Sequence, residues 1–167
     1  GWVRVSDRGD GSYCVRFVRR VAGTYEARAW LHGEAVPGAL LCRVSAGAVC
    51  PARCSLRGDG YTRCTAGADD HFYVEARDAF GNLAGGGKRW RVAIEPHPQE
   101  AGDAAAEAAA AAATSSLAVR DCGDGSYLVS YSLSRAGRYA LHVGRRAGQR
   151  EAAESSEALV GSPFQLL

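Results

Sequence analysis

The chain has 167 residues, of which 47% are apolar and 23% charged, with five prolines. Such a composition is too apolar for disorder, and the length admits one or two domains. The net charge of +2, with neither sign concentrated on a long run, leaves no electrostatic footprint for nucleic acid or anionic lipid.

Taken from the N-terminus, the first element is a turn followed by a strand. In Asp7-Arg8-Gly9-Asp10-Gly11-Ser12-Tyr13-Cys14-Val15-Arg16-Phe17, the Asp-Gly supplies positive φ and a side-chain acceptor. Tyr13, Val15 and Phe17 then alternate with Cys14, Arg16 and Val18, the period of a strand buried on one face. After Ala22-Gly23 the alternation resumes with Tyr25, Ala27 and Ala29, which makes a hairpin, and Leu40, Cys42 and Val44 form a further strand after Pro37-Gly38. Phe72-Tyr73-Val74-Glu75-Ala76-Arg77 leads into Asp78-Ala79-Phe80-Gly81-Asn82, and Arg89 to Ile94 alternates again after three glycines.

The next stretch, about residues 96–116, is rich in alanine. Alanine favours helix, but a run this short is marginal alone because nucleation is costly. With no apolar stripe of large residues, the segment reads as a low-complexity surface loop with helical capacity. The alanines also form the longest apolar stretch, far short of the roughly 20 residues of a membrane span. Beyond it the opening block returns as Asp121-Cys122-Gly123-Asp124-Gly125-Ser126-Tyr127-Leu128-Val129-Ser130-Tyr131, and Gly137-Arg138-Tyr139 repeats Gly23-Thr24-Tyr25 at the same spacing. The chain thus contains an internal repeat, with Tyr139, Leu141 and Val143 and finally Phe164 and Leu166 on inner faces. Short strands separated by glycine-rich turns predict an all-β sandwich. With no methionine and a first residue just ahead of one repeat copy, the chain is expected to be a piece of a longer polypeptide, so a missing targeting signal carries no weight.

No catalytic constellation is visible. His32, His71, His97 and His142 are scattered and none adjoins a nucleophile motif. Gly85-Gly86-Gly87-Lys88 lacks the helix and the following Ser/Thr of a phosphate loop. Cys50, Cys54, Cys64 and His71 match no standard zinc spacing, so no metal or cofactor is expected. Cys54 and Cys64 bracket a Gly-Asp-Gly turn and are a candidate disulfide, which would imply an oxidising compartment, while free thiols in a cytosolic chain are the equal alternative. Arg-Gly-Asp occurs at Arg8-Gly9-Asp10 and Arg57-Gly58-Asp59, both at turns whose own chemistry already requires Gly and Asp.

Five pieces of this pattern together resemble a filamin-type immunoglobulin-like repeat. They are Phe72-x-Val74-x-Ala76-Arg77-Asp78-x-x-Gly81-Asn82 with Gly85-Gly86, Asp124-Gly125-Ser126-Tyr127-x-Val129-x-Tyr131, Gly137-x-Tyr139-x-Leu141-x-Val143, Gly161-Ser162-Pro163-Phe164, and the entry Ser55-Leu56-Arg57-Gly58-Asp59-Gly60-Tyr61. The resemblance implies residues 1–48 as the C-terminal half of one repeat and 49–167 as a complete repeat, with the alanine-rich segment inserted between the family's strands C and D and an extra segment at Gln149 to Leu159. A half repeat leaves Tyr13, Val15, Phe17, Tyr25 and Trp30 partly exposed. The implied role is a non-enzymatic scaffold that spaces and binds protein partners in a cytoplasmic, actin-associated or cytoskeletal protein; the alternative is an extracellular adhesion module with paired cysteines. Partners would add a strand in the C–D groove, at Arg89, Arg91 and Ala93 and across to Leu117, Ala118 and Val119, with the alanine-rich insertion as a cover. Trp90, Val92 and Ile94 are then core by parity.

Overall fold

The computed structural model describes residues 1–87, 90–97, 114–146 and 156–167, and these divide into two compact units, Gly1–Gly47 and Ala48–Leu167. Among the described residues the structure is all-β, with a single 3-10 turn at Pro51–Arg53.

Unit 1 is built from antiparallel pairs. Strands β1 (Trp2–Asp7) and β2 (Tyr13–Val18) form a hairpin in which Val3 faces Phe17, Val5 faces Val15 and Asp7 faces Tyr13. Strand β3 (Gly23–Ala27) pairs with β6 (Leu40–Val44), which sets Tyr25 opposite Cys42. Between them β4 (Trp30–Leu31) and β5 (Glu34–Ala35) close a small hairpin around Gly33. The expected exposure is present: Tyr13 is 55% exposed, Val15 53%, Phe17 38% and Trp30 63%, and Tyr25 is half-buried.

Unit 2 is an antiparallel sandwich. One sheet runs in the order β10 (Thr114–Asp121), β11 (Ser126–Leu133), β8 (Asp69–Glu75), β7 (Ser55–Arg57). In the other, β12 (Tyr139–Arg146) is central. It pairs along one edge with β13 (Ser156–Ala158) and β14 (Phe164–Leu166) and along the other with β9 (Trp90–Pro96).

Strict alternation decides which side chains enter the core. Phe72, Val74, Tyr127, Val129, Tyr131, Leu133, Tyr139, Leu141, Val143 and Leu166 are all buried, each contributing on the order of 1.5–3 kcal/mol by leaving water. The rings meet edge to face, Phe72 with Tyr131 at 6.2 Å and Trp90 with Tyr127 at 5.8 Å. Asp78 is the one buried carboxylate among the described residues; it accepts from the Phe80 and Asn82 amides and from Asn82 Nδ2, which closes the turn after β8. Those bonds satisfy its oxygens, as a buried charge requires.

The alternation locates the strands but not all their limits. The strand expected at Phe72 to Arg77 runs instead from Asp69 to Glu75, and the strand that carries Leu117, Ala118 and Val119 extends from Thr114 to Asp121. Strand β13 lies inside the extra segment expected at Gln149 to Leu159. The alanine-rich expectation falls largely on residues 98–113, outside the described residues.

Candidate partner-binding edge

Strand β9 is an edge strand. Its one edge pairs with β12 from Tyr139↔Pro96 to Arg145↔Trp90, and among the described residues no strand pairs with the other. A row of main-chain N–H and C=O groups is therefore presented to any incoming strand. The equivalent edge strand of the opposite sheet is β10, and the two approach each other on this side of the sandwich.

The inner faces of these strands are incompletely covered. In β9, Trp90 and Ile94 are buried, while Val92, which lies between them on the same face, is half-buried. In β10, Leu117 faces Tyr131 and Val119 faces Val129 in register, which places both on the inner side. Their partners are at most 1% exposed, yet Leu117 is 38% and Val119 39% exposed. Large apolar side chains on a core face, left open at the rim, make an apolar strip beside a free strand edge.

The other candidate residues lie elsewhere. Arg91 and Ala93 occupy the outer face of β9, where they line a cavity of about 230 Å³ with Glu95, His142, Gly144 and Ala158. His142 Nε2 stands 3.6 Å from Glu95 Oε2 there. Ala118 pairs with Ser130 on the outer face of its own sheet. Arg89 is outside the described residues. Parity thus sorts the expected set into two faces: Leu117 and Val119 point inward with Val92, and Arg91 and Ala93 point the opposite way. Sequence reading assigned Val92 wholly to the core. Its alternation gives the face correctly, but only the sheet order shows that this face stops at an open rim.

All six cysteines are free thiols. Cys54 Sγ donates to the Cys50 carbonyl at 3.3 Å and accepts from the Arg77 amide at 3.4 Å, and burial raises its pKa above the usual thiol value. Cys64 sits by the Tyr131 hydroxyl and is raised by burial as well. The two members of the candidate disulfide thus have separate neighbours, and burial favours the protonated thiol at each.

The Arg-Gly-Asp tripeptides are engaged in the fold. Arg57 bridges to Glu75 at 3.2 Å and stacks over the Tyr73 ring at 4.6 Å. The Asp10 carboxylate accepts from Ser12 N at 2.9 Å and Ser12 Oγ at 2.6 Å, which lowers its pKa. Gly87, from the glycine triplet, donates its amide to Asp121 at 2.6 Å, which ties the loop after β8 to the end of β10. Among the described residues no group of three or more His, Cys, Asp or Glu is placed to hold a metal ion, and no helix is long and apolar enough to cross a membrane.

Comparison with known proteins places this architecture. The Lin-41 filamin domain shares 19% identity and a TM-score of 0.49 over 72% of this chain and 95% of its own. The Escherichia coli adhesin FdeC shares 20% identity and a TM-score of 0.50, covering 93% of this chain and 46% of its own. Yersinia pseudotuberculosis InvD shares 16% identity and a TM-score of 0.56, covering 99% and 43%. The chain therefore spans less than half of either bacterial structure, and at these identities the likeness to those two is one of fold. No curated protein sequence matches the chain. The profile of the Filamin/ABP280 repeat matches residues 48–165, which is nearly all of unit 2. That repeat is a structural, non-catalytic type of module that mediates protein interactions. With the match spanning more than two thirds of its length and a β-sandwich built on the matching residues, the chain belongs to the filamin/ABP280 repeat family.

Proposed function

We propose that this chain is a non-enzymatic module that spaces and binds protein partners within an actin-associated or cytoskeletal polypeptide, and that a partner segment docks as an added strand on β9. The observation that carries the reading is the edge of β9 that no strand pairs with among the described residues, beside Leu117 and Val119, inner-face residues left 38% and 39% exposed. An added strand gains main-chain hydrogen bonds and presents alternate side chains to both faces of the sheet. One set covers Val92, Leu117 and Val119; the other lies against Arg91 and Ala93. The adhesion alternative has less support, because Arg57 of one Arg-Gly-Asp tripeptide bridges to Glu75.

The test uses a labelled extended peptide of about nine residues, enough to span a strand, with Val alternating with Ser and Thr. Binding should slow amide exchange in β9, and Leu117→Asp or Val119→Asp should weaken it by about tenfold or more, since each buries a carboxylate under the peptide. Ala118→Asp, on the outer face, should leave binding unchanged. Equal weakening by all three, or no protection of β9, would refute the assignment.

A further inference from the structure

The outer face of the β10-β11-β8-β7 sheet carries a cavity that strand addition at β9 does not use. Phe72 and Val74 are buried, so parity puts Asp69, His71 and Tyr73 of β8 on the outer face. Register sets Ser132, Ser130 and Leu128 of β11 against them in that order. On the other side of β11, Ser116 lies across from Ser132 and Ala118 from Ser130, and the Ser116 and Ser132 hydroxyls are 3.2 Å apart. The middle of the sheet is thus a floor of small, mostly hydroxyl-bearing side chains. The cavity above it measures about 450 Å³, the size of a small-molecule site, and its lining includes Asp69, His71, Tyr73, Ser116, Leu128 and Ser130.

The fold fixes the wall of this cavity, and the polar groups select what enters it. The His71 and Tyr73 rings meet edge to face with centroids 6.2 Å apart, and Arg57 stacks over the Tyr73 ring while bridging to Glu75. A ring already held in place loses little freedom when a ligand packs on it. Serine hydroxyls both donate and accept, and a carboxylate accepts, so an apolar ligand would strip these groups of water without replacing their bonds. An anion is repelled by Asp69. A cation finds one outward carboxylate only, because Asp70 shares the inner parity of Phe72 and its Oδ1 accepts the His71 amide at 2.9 Å. A single exposed ion pair contributes little.

We propose that the outer face of β8, β10 and β11 is a binding site for a neutral saccharide. A sugar ring combines a rim of hydroxyls, each a donor and an acceptor, with a face of C–H groups. The C–H face packs on Tyr73 and Leu128, where an aromatic ring and an apolar side chain lie opposite each other in register. The hydroxyls pair with Ser116, Ser130, His71 and the Asp69 carboxylate. This function goes beyond strand addition, and no residue of β9 takes part in it.

The test titrates maltose, lactose and cellobiose in turn into the whole chain while backbone amide shifts are followed by NMR. At least one of the three should move the amides of His71, Tyr73 and Ser130 saturably and leave those of β9 in place. Tyr73→Ala should weaken that binding by about tenfold, and Ser130→Leu, which fills the floor, should abolish it. Amide exchange in β11 and β12 that stays as in the parent shows that either variant remains folded. Leu117→Asp, which opposes strand addition at β9, should leave the saccharide's effect intact, so the two surfaces fail separately. The proposal is overturned if none of the disaccharides moves these amides, if the shifts do not saturate, or if both variants bind as the parent does. It is also overturned if a short lysine peptide displaces the saccharide from the same amides at low salt, since the groove would then be reading positive charge.

Discussion

The same turn is built twice in this molecule, once on an exposed face and once over a core. In unit 1, Asp7 Oδ1 accepts from Gly9 N at 2.8 Å, Asp10 Oδ1 from Ser12 N at 2.9 Å, and Arg8 N donates to Ser12 O at 3.0 Å. In unit 2, Asp121 and Asp124 make the matching bonds to Gly123 and Ser126 at 2.8 Å, and Cys122 N donates to Ser126 O at 3.0 Å. Tyr25 and Tyr139 each donate a hydroxyl to the carbonyl four residues earlier, at 2.9 and 2.8 Å. Local hydrogen-bond chemistry is therefore complete without a core. Burial is what separates the units, and burial depends on strands brought from far along the chain.

The largest break in the comparison comes from a buried charge. Val129→Asp should destabilise unit 2 by about 4 kcal/mol or more, because a carboxylate at a fully buried position must lose its hydration or unfold its surroundings. Val15→Asp, at the repeat-equivalent but exposed position, should change unit 1 by no more than about 0.5 kcal/mol. Amide exchange resolved by unit measures both, and similar losses would mean that the β2 face is covered in solution.

Glycine substitution sharpens the same contrast at smaller scale. Gly11 and Gly125 both have positive φ, 85° and 95°, so alanine at either costs about 1 kcal/mol of backbone strain. Around Gly11 an added Cβ would meet nothing within 4 Å, whereas at Gly125 it would lie 2.9 Å from the Ala84 carbonyl oxygen. Gly125→Ala should therefore cost a further 1–3 kcal/mol or so for overpacking, and thermal unfolding followed by exchange in each unit checks the difference.

The smallest effect is electrostatic and belongs to unit 2 alone. Glu75 is held below the usual carboxylate range, first by the hydrogen bond from the Arg77 guanidinium at 2.8 Å and also by the charges of Arg77 and Arg57. A depressed folded pKa favours the charged form in the native state. Its stabilisation is thus present at pH values above the ordinary 4.5 and disappears as pH falls through the lower folded value. Glu75→Gln should cost less than about 1 kcal/mol near neutral pH, as expected for a partly exposed ion pair, and the difference should vanish in acid. A cost that persisted in acid would assign the effect to packing. The turn aspartates Asp10 and Asp124, both lowered by their Ser hydrogen bonds, shift alike in the two units and leave the comparison unchanged.

Much of this was legible in the sequence. Alternation in Tyr127 to Leu133 and in Tyr139 to Val143, the Asp-Gly turns and the repeat itself determine the all-β class, the inner faces and the expectation that unit 1 stays open. These are local properties, set by period-two side-chain geometry and by the few residues that tolerate a turn. The tertiary structure alone decided which strands became edges. Arg91 and Leu117 were read as one candidate surface, yet they lie on opposite faces, because alternation tells inside from outside but not which strand is a neighbour. Only the long-range order β10-β11-β8-β7 against β9-β12-β14 leaves Leu117 and Val119 at an open rim, and it is this order, with β8 lying against β11, that buries Val129 while its repeat partner Val15 remains in water.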